Sequence, residues 1–433
     1  MKDVAIVWFR NDLRIHDNEA LTFALKNFDR VVAAYIFDER QFMGKTPNGF
    51  RKTGIHRARF ILESVTELKS NLQKLGADLY IRLGKAEIEL FELAKEIKSV
   101  CIFCNRERIG EEVIIQEELE QKLWTIGQEL LYTRGKMLFY TSDLPFPITQ
   151  TPSTFSSFRK EVEKSIEIRT PLPTISERIE TIHNLDFGSV PTLSELKYDD
   201  SVVKQDNFFT GGENVGLNLL KRYIWDSGAI DDYKKKRRSL TEWHNSSRLS
   251  PWISIGALSP KLIHHEIRKY ESNSTPNDGT HALSTEFLWR DYFRLLGKKH
   301  GDKIFQTEGF EQLKFVYKED DLLLESWCNG QTGIPIIDAN MRELKATGYI
   351  SSRGRQLVSG FLIHELRLNW LLGAEYFESL LIDYDSCSNY CNWLYIAGSG
   401  NEGVEEKSSV SYSHFNRYDP EGNYTSKWVP EFR

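Results

Sequence analysis

The periodicity of apolar residues changes along this chain, and the change restricts the folds that the chain can adopt. Up to residue 135, continuous apolar runs alternate with amphipathic stretches, a pattern typical of parallel strands covered by helices on both faces. From 136 to 207 repeated prolines break the pattern, and after Phe208 the period is helical to about residue 382. The sequence therefore predicts a doubly wound α/β domain with a parallel, Rossmann-like sheet over 1–135, a connector over 136–207 and a mostly α-helical domain over 208–433.

The individual elements follow from the same pattern. Apolar runs predict strands at 4–9, 30–37, 78–83, 99–104 and 129–133, with helices between them at 18–27, 54–75, 86–98 and 111–126. The connector is predicted to contain one helix at 154–165. Helices are predicted in the last region at 212–224, 252–255, 260–270, 284–299, 322–328, 334–347, 353–369 and 374–381.

The residues after the first predicted strand argue against a nicotinamide cofactor. Dinucleotide-binding sheets carry Gly-x-Gly-x-x-Gly at this point, whereas this chain has Phe9-Arg10-Asn11-Asp12-Leu13-Arg14. A redox enzyme that takes its electrons from a nicotinamide cofactor would need such a site, so this hypothesis is weak.

Composition sets the expected environment. The net charge of −6 argues against a generally basic nucleic-acid coat, so any DNA contact must use a local basic surface. Five cysteines, no signal peptide and no apolar run near 18 residues predict a cytoplasmic protein without a membrane segment. Cys101, Cys104, Cys387 and Cys391 could form a metal site, but the apolar run around the first pair favours buried thiols and no metal.

A serine-rich segment, Ser246-Ser247-Arg248-Leu249-Ser250-Pro251-Trp252, precedes a predicted helix. Hydroxyls and free N–H groups at such a helix start can hold a diphosphate. Alternatively, Ser250 is an ordinary N-cap with Pro251 at the first helical position. Upstream, Tyr233 precedes a basic run over 234–238, which is typical of a solvated surface but could guide a phosphate backbone.

The segment Glu286-Phe287-Leu288-Trp289-Arg290-Asp291-Tyr292-Phe293 places charges among aromatic residues. Glu286 and Arg290 share a helical face at i and i+4, which normally makes a surface ion pair. Because the neighbouring side chains are aromatic, we expect this pair to be partly buried and to serve a ligand or a function.

The segment 327–395 combines indoles, paired carboxylates, guanidiniums and a carboxamide, the side chains that would hold a flat redox ring and supply it with electrons. Ordinary core packing is the alternative explanation for its indoles. The residues concerned are Trp327, Trp370, Trp393, Asp383, Asp385, Arg353, Arg355 and Asn389.

In their order along the chain, these motifs resemble the flavin domain of the photolyase/cryptochrome family. The resemblance covers nearly the whole chain, because 8–14 and Lys52-Thr53-Gly54 with Arg57 resemble the family's N-terminal antenna domain. Several segments resemble the DASH-type cryptochromes in particular: Asp338-Ala339-Asn340-Met341-Arg342-Glu343-Leu344, Arg353-Gly354-Arg355-Gln356, Asp383-Tyr384-Asp385, and Tyr395 where cyclobutane-dimer photolyases carry a second Trp.

The resemblance implies FAD bound in a folded conformation in the helical domain. Arg355 would pair with Asp383 beside the isoalloxazine, Asp385 would lie toward the adenine side, and Asn389 would face flavin N5. The residues that would bind or approach the diphosphate are Tyr233, Ser246, Ser247, Arg248, Leu249, Ser250 and Arg290.

The implied reaction is the light-driven repair of cyclobutane pyrimidine dimers, in which photoexcited reduced FAD passes an electron to a flipped-out dimer. Glu286 would hydrogen-bond the dimer carbonyls and stabilise the radical anion. Trp289 and Tyr395 would stack on the lesion, and Arg353 would lie near its phosphates. A Tyr in place of an indole weakens the lesion pocket, so we expect a preference for dimers in single-stranded DNA.

The same resemblance implies an electron path from Trp393 through Trp370 to a third residue, where Tyr317 stands near the position of a Trp. Three further segments depart from the family pattern: Ser352 replaces an Asn, 279–283 lacks an aromatic pair, and 400–405 lacks Asp-Pro-Arg. These departures affect lesion contact and the electron path more than they affect the binding of FAD.

Glu111 and Glu112 match the acidic position that holds 5,10-methenyltetrahydrofolate, an antenna pigment, in relatives. The alternative is an ordinary helix N-terminus enriched in acids. A blue-light signalling photoreceptor without repair activity is the other functional hypothesis. Against it, the chain ends at Arg433 without the disordered tail through which plant and animal cryptochromes signal. The sequence does not indicate an oligomeric state.

Overall fold

The computed structural model describes residues 3–199, 209–237, 239–240, 245–310, 313, 316–399 and 418–431. The end of the predicted connector, the segment 400–405 and part of the basic run lie outside the described residues. The predicted domain boundaries at 135 and 207 therefore stay a proposal.

The N-terminal region contains a five-stranded parallel sheet in the order β3-β2-β1-β4-β5. Its strands are β1 (Val4–Phe9), β2 (Arg30–Asp38), β3 (Leu79–Gly84), β4 (Cys101–Asn105) and β5 (Glu129–Thr133). The helices up to the connector are α1 (Glu19–Asn27), α2 (Glu39–Phe42), α3 (Ile55–Lys74), α4 (Ala86–Ile97), α5 (Glu111–Trp124) and α6 (Phe155–Ser165). All five predicted strands are confirmed, and the sequence pattern missed only the single-turn α2 in this region.

Both faces of the sheet are buried, which explains why its strands are apolar without alternation. Along β1, Ala5, Val7 and Phe9 join one core cluster, whereas Ile6 and Trp8 join the other. Helices cover each face, as expected for strands connected by right-handed crossovers. The predicted doubly wound α/β fold is thus confirmed.

The C-terminal region is helical. Its helices are α7 (Glu213–Lys221), α8 (Tyr233–Lys236), α9 (Ser250–Ser254), α10 (Pro260–Asn273), α11 (Asp278–His300), α12 (Asp321–Asn329), α13 (Pro335–Thr347), α14 (Ser352–Gly360), α15 (Trp370–Leu380), α16 (Ser386–Leu394) and α17 (Asn423–Trp428). The predicted mostly α-helical domain is confirmed.

Two helix predictions in this region were wrong. The helix predicted at 353–369 is α-helical only to Gly360, continues as a π-helical turn over Phe361–Glu365 and ends before Arg367, whose φ is +60°, so that Asn369 can cap α15. Helix α16 was missed, although Asp385 caps it by accepting a hydrogen bond from the Ser388 N–H. An Asp-x-x-Ser sequence before an apolar stretch is the signal that could have predicted this helix.

The segment after β1 joins the two regions. The side chain of Arg14 is fully buried and donates to four backbone carbonyls, those of His16, Asp17, Gly135 and Gly256. Gly256 has a φ of +68°, and a Cβ there would lie 2.1 Å from the Asn11 carbonyl oxygen. The backbones of the two regions therefore touch directly at this junction.

In the described part of the chain, no helix is both long enough and apolar enough to cross a membrane. Cys101 and Cys104 are buried in β4 and belong to the core clusters on opposite faces of the sheet. Burial raises the pKa of each thiol to about 12. These two thiols therefore cannot bind one metal ion together.

Candidate functional site

A cavity of about 770 Å³ lies within the helical region, enclosed by α9, α11, α14 and α16. Most of the site residues predicted from the sequence line this single cavity. They are Tyr233, Ser246, Ser247, Arg248, Leu249, Ser250, Glu286, Trp289, Arg290, Arg353, Arg355, Asp383, Asp385, Asn389, Trp393 and Tyr395. Four predicted residues, Trp370, Tyr317, Glu111 and Glu112, lie outside it.

One face of α11 forms a wall of the cavity, because Glu286, Trp289, Arg290 and Phe293 follow one another at helical spacing. The expected Glu286–Arg290 ion pair is not formed. Arg290 instead donates to the Lys136 and Ile253 carbonyls. Glu286 has a different cationic partner.

That partner is Arg237, which follows α8 and hydrogen-bonds Glu286 across the cavity. Burial raises the pKa of Glu286, and the charge of Arg237 opposes the increase. The sequence placed Arg237 in a solvated basic run, since nothing in the run itself marks one of five cations as a site residue. The spacing of aromatic residues around Glu286 gave no indication of this long-range partner.

On the opposite side of the cavity, Asp383 links two helices. Arg355 of α14 donates twice to its carboxylate, at 2.9 and 2.7 Å, and the Ser250 hydroxyl lies 2.6 Å from Oδ2. Ser250 is therefore the first residue of α9 with its hydroxyl directed to Asp383, not the N-cap of the alternative interpretation; Leu249 is the N-cap. Although burial opposes it, the charge of Asp383 raises the pKa of Arg355.

The loop before α9 carries a strained residue. Arg248 has a φ of +50°, which is uncommon for a residue with a Cβ, and its guanidinium lies 5.1 Å from the ring centre of Tyr349. Non-glycine residues in this conformation concentrate at binding sites, where the surrounding structure holds them. The predicted diphosphate segment is thus held in a defined shape.

Asp385 is the second carboxylate of the predicted pair. It accepts the Ser388 N–H at 2.9 Å and the Ser388 hydroxyl at 2.8 Å, and Arg294 of α11 donates to its other oxygen. Burial alone would raise the pKa of Asp385, but Arg294 and Arg290 outweigh it and lower the pKa to about 2. Arg294 was missed by the sequence analysis, although it lies four residues after Arg290 on the same helical face.

Asn389 and Trp393 lie on successive turns of α16, both buried. The Asn389 amide donates to the Ala374 carbonyl at 2.9 Å, which fixes the orientation of the side chain beside the cavity. The Trp393 ring packs against Gly373, where a Cβ would lie 2.2 Å from the indole. Close packing of this indole therefore requires glycine at position 373.

Trp370 begins α15 and is fully buried, with its indole N–H 3.0 Å from the Thr307 carbonyl. Trp370 and Gly373 are one turn apart on α15 and therefore lie on the same helical face, which is the face that Trp393 contacts. Tyr317 is brought close by the backbone: Lys318 N–H donates to the Arg367 carbonyl at 2.8 Å, three residues before Trp370. Burial raises the pKa of Tyr317 to about 12.

At the other end of the cavity, Trp289 and Tyr395 meet edge to face with ring centres 5.6 Å apart. The connector helix α6 supplies a ring that the sequence analysis missed, because Phe155 stacks on Trp289 with ring centres 3.7 Å apart and an interplanar angle of 11°. Arg353 lies over the ring of Tyr418 at 4.9 Å. Because Phe155 stacks on it, one face of the Trp289 indole is covered.

A second cavity of about 370 Å³ lies between the two regions, at the carboxyl ends of β1 and β2. Both Glu111 and Glu112 line it, but only Glu112 is half-buried, and its carboxylate accepts the Asn11 amide at 3.2 Å. Burial, together with the charge of Asp385, raises the pKa of Glu112. Glu111 is exposed and pairs with Lys52 at 2.7 Å.

The large cavity has the chemistry that FAD requires. Its volume falls within the range of about 300–1,000 Å³ typical of cofactor sites. The serine hydroxyls and the N-terminus of α9 can bind a diphosphate. The fixed Asn389 carboxamide can bind a flavin nitrogen that gains and loses a proton. Arg355 and Asp383 form an ion pair, so they offer polar groups to a ligand without adding net charge to the cavity.

Comparisons with known proteins agree with this geometry. Residues 5–177 match the family model described as DNA photolyase, and residues 283–433 match the FAD binding domain of DNA photolyase. The cryptochrome DASH of Gloeobacter violaceus is 42% identical over 428 residues, covering 98% of this chain and 85% of that protein. The cryptochrome DASH of Xenopus laevis is 38% identical, covering 99% of this chain and 83% of that protein.

Solved structures are similar as well. A Synechocystis cryptochrome has a TM-score of 0.95 at 40% identity, covering 99% of this chain and 89% of that chain. A class III photolyase from Agrobacterium tumefaciens has a TM-score of 0.86 at 27% identity, covering 100% of this chain and 87% of that one. The chain belongs to the photolyase/cryptochrome family and, within it, to the DASH-type cryptochromes.

Proposed function

We propose that this protein is a blue-light-dependent flavoenzyme that repairs cyclobutane pyrimidine dimers and prefers them in single-stranded DNA. The observation that carries the proposal is that the lesion-contact candidates and the flavin-contact candidates line one cavity. A dimer entering beside Glu286 would therefore reach the same space as the flavin. When bound, FAD supplies the light absorption and the electron that opens the cyclobutane ring.

The protein residues position the lesion and stabilise its charge. Glu286 offers a half-buried carboxyl to the dimer carbonyls, and Arg237 holds that carboxyl in place. Burial raises the pKa of Glu286 and so favours the protonated carboxyl, whose O–H can donate to a dimer carbonyl and stabilise the developing negative charge. Trp289 and Tyr395 form an aromatic corner against which the two pyrimidines would pack.

The preference for single strands follows from the size of this corner. Phe155 covers one face of Trp289, and Tyr395 offers a smaller ring than an indole. Less stacking energy is then available to offset the extrusion of a dimer from a duplex, which costs a few kcal/mol. A single strand does not carry that cost.

Trp393, Trp370 and Tyr317 are proposed as the path that refills the flavin with electrons. The support is the packing of Trp393 on the helical face that begins with Trp370, and the backbone contact that brings Tyr317 to the same helix. As a Tyr, the last residue must lose a proton when it is oxidised. Its buried hydroxyl would make that step slow.

The inter-domain cavity is proposed to hold 5,10-methenyltetrahydrofolate as an antenna. Glu112 supports the proposal, because a half-buried carboxylate can accept hydrogen bonds from the amino and N–H groups of a pterin. We further propose that the protein acts in the cytoplasm.

The test is repair by the purified, chemically reduced protein of a single-stranded oligonucleotide that contains one thymine dimer. Under blue light we expect thymine absorbance to return, and the dark control to stay unchanged. Glu286→Gln should lower the repair yield by about tenfold or more, since an amide N–H is a weaker donor to the radical anion than a carboxyl O–H. The exposed Glu325→Gln on α12 is the matched control and should repair normally. A wild-type protein that restores no thymine would overturn the proposal.

Blue-light signalling without repair is the second candidate. The stacking of Phe155 on Trp289 favours it, because the indole face that a lesion would need is occupied. Under this alternative, Phe155→Ala would leave light-driven flavin reduction intact and still give no repair. Repair above the dark control, by the wild type or by Phe155→Ala, would count against it.

A further inference from the structure

Four cations line a recess of about 110 Å³ that adjoins the flavin cavity, with which it shares Ser254, Tyr384 and Asp385. Arg106 and Arg108 follow β4, Arg134 follows β5, and Lys298 comes from the last turn of α11. Because β4 and β5 are adjacent parallel strands, their carboxyl ends bring the first three side chains to one edge of the sheet. Ligands of doubly wound sheets bind at this edge.

None of these four side chains forms an ion pair within the described part of the chain. The recess also contains Glu107, Glu112 and Asp385, but Glu107 and Asp385 are paired with Lys136 and Arg294, and Glu112 accepts the Asn11 amide and pairs with none of the four cations. The four cations therefore face one another without compensation.

The electrostatic consequence is visible at the two half-buried members. Burial and the charges of Arg106 and Arg134 lower the pKa of Arg108 to about 10. Burial and the charges of Arg108, Arg134 and Arg106 lower the pKa of Lys298 to about 8. Such mutual repulsion destabilises the fold unless an anion compensates it, and uncompensated buried charges concentrate at functional sites.

We propose that this recess binds a small oxyanion, a phosphate or carboxylate group carried by a small molecule. Planar guanidiniums from Arg106, Arg108 and Arg134 match the bidentate geometry of such groups. The ammonium of Lys298 would supply a fourth donor from the opposite, helical side.

The four cations of the recess lie away from the proposed lesion contacts and do not line the inter-domain cavity. Lys298 lies twelve residues after Glu286 on α11, about 18 Å along the helix axis. Glu112 lines both the recess and the inter-domain cavity, so the two spaces adjoin each other. A nucleic-acid backbone is disfavoured, because Arg108 and Lys298 sit half-buried at the base of a space about the size of one anion.

The test is isothermal titration calorimetry of the FAD-loaded protein at constant ionic strength. The probes are pyrophosphate for the phosphate source, triglutamate for the carboxylate source, and a single-stranded oligothymidine for nucleic acid. We expect at least one small anion to bind, and Arg108→Gln with Lys298→Gln to weaken it by about a hundredfold, since each charge-assisted hydrogen bond contributes about tenfold or more. The exposed Arg178→Gln is the control and should bind as wild type.

Thermal unfolding without added anion provides a second readout. If repulsion is the dominant interaction, Arg108→Gln should unfold at the same temperature as wild type or higher. A lower unfolding temperature would instead indicate a structural role and overturn the proposal. It would also be overturned by the absence of small-anion binding, by equal binding to the double variant, or by a variant effect on the oligothymidine alone.

Discussion

The two larger cavities differ in how their charges are compensated. In the flavin cavity, Asp383 and Asp385 are each bound by an arginine and a serine that belong to the same helical region. In the inter-domain cavity, Glu112 has a raised pKa and only an amide at hydrogen-bond distance among the described residues. The flavin cavity is thus electrostatically organised before any ligand binds, whereas the inter-domain cavity leaves a carboxyl that a ligand could stabilise.

The largest expected effect tests the organised cavity. Asp383→Asn removes one partner of a buried ion pair, a change that costs about 3–5 kcal/mol. We expect the purified variant to contain less than about a tenth of the wild-type flavin, measured by absorbance after denaturation. The exposed Asp321→Asn should retain normal flavin. Full flavin content in Asp383→Asn would show that the pair does not organise the cavity.

The next effect concerns the packing beneath the proposed electron path. Gly373→Ala would place a methyl group against the Trp393 indole, and overpacking of this kind costs about 1–3 kcal/mol. We expect a lower unfolding temperature and slower photoreduction of bound flavin, measured by absorbance under blue light. In a Trp393→Phe background the same substitution should cost less stability, because the smaller ring leaves room for the methyl group. Equal costs in both backgrounds would exclude this contact as the cause.

A smaller effect follows from the low pKa of Asp385. A carboxyl whose folded pKa lies below its unfolded value stabilises the fold above the unfolded pKa, and this stability is lost as the pH falls toward the folded pKa. With a folded pKa of about 2 against 3.8, the contribution is about 2 kcal/mol and disappears between about pH 5 and pH 2. We expect the urea midpoint to fall less between about pH 5.5 and pH 3 in Asp385→Asn than in wild type. An unchanged slope would contradict this.

The smallest effect separates the two adjacent acids of the inter-domain cavity. Glu112→Gln should reduce the folate that binds to the purified protein by several-fold, whereas Glu111→Gln should change it little because Glu111 pairs with Lys52 at the surface. Fluorescence of added methenyltetrahydrofolate measures both. A larger loss in Glu111→Gln would reverse the assignment.

The sequence predicted the sheet almost residue by residue, since strands buried on both faces are continuous apolar runs with clear ends. The sequence was less successful where tertiary contacts determine where helices begin and end. The turn at Arg367 and the capping role of Asp385 depend on which backbone groups need partners, and periodicity does not report this.

The candidate site was predicted in composition, and the predicted pair of Arg355 with Asp383 is formed, but the partners of Glu286 and Asp385 were not predicted. Residues of the site were found because the motifs that carry them resemble those of the photolyase/cryptochrome family. Arg237 and Phe155 were missed because each is distant in sequence from its partner on α11 and belongs to a segment of ordinary composition. A single sequence carries little information about such long-range pairs.

The buried side chain of Arg14 has a consequence for the proposed antenna. All four of its acceptors are backbone carbonyls, none of which titrates, and they come from both structural regions. This part of the junction therefore keeps its geometry when acidity changes. Excitation transfer depends steeply on the separation and mutual orientation of two pigments. Hydrogen bonds that hold the two regions in a fixed arrangement would therefore keep the efficiency of transfer from an antenna to the flavin constant when the cellular pH changes.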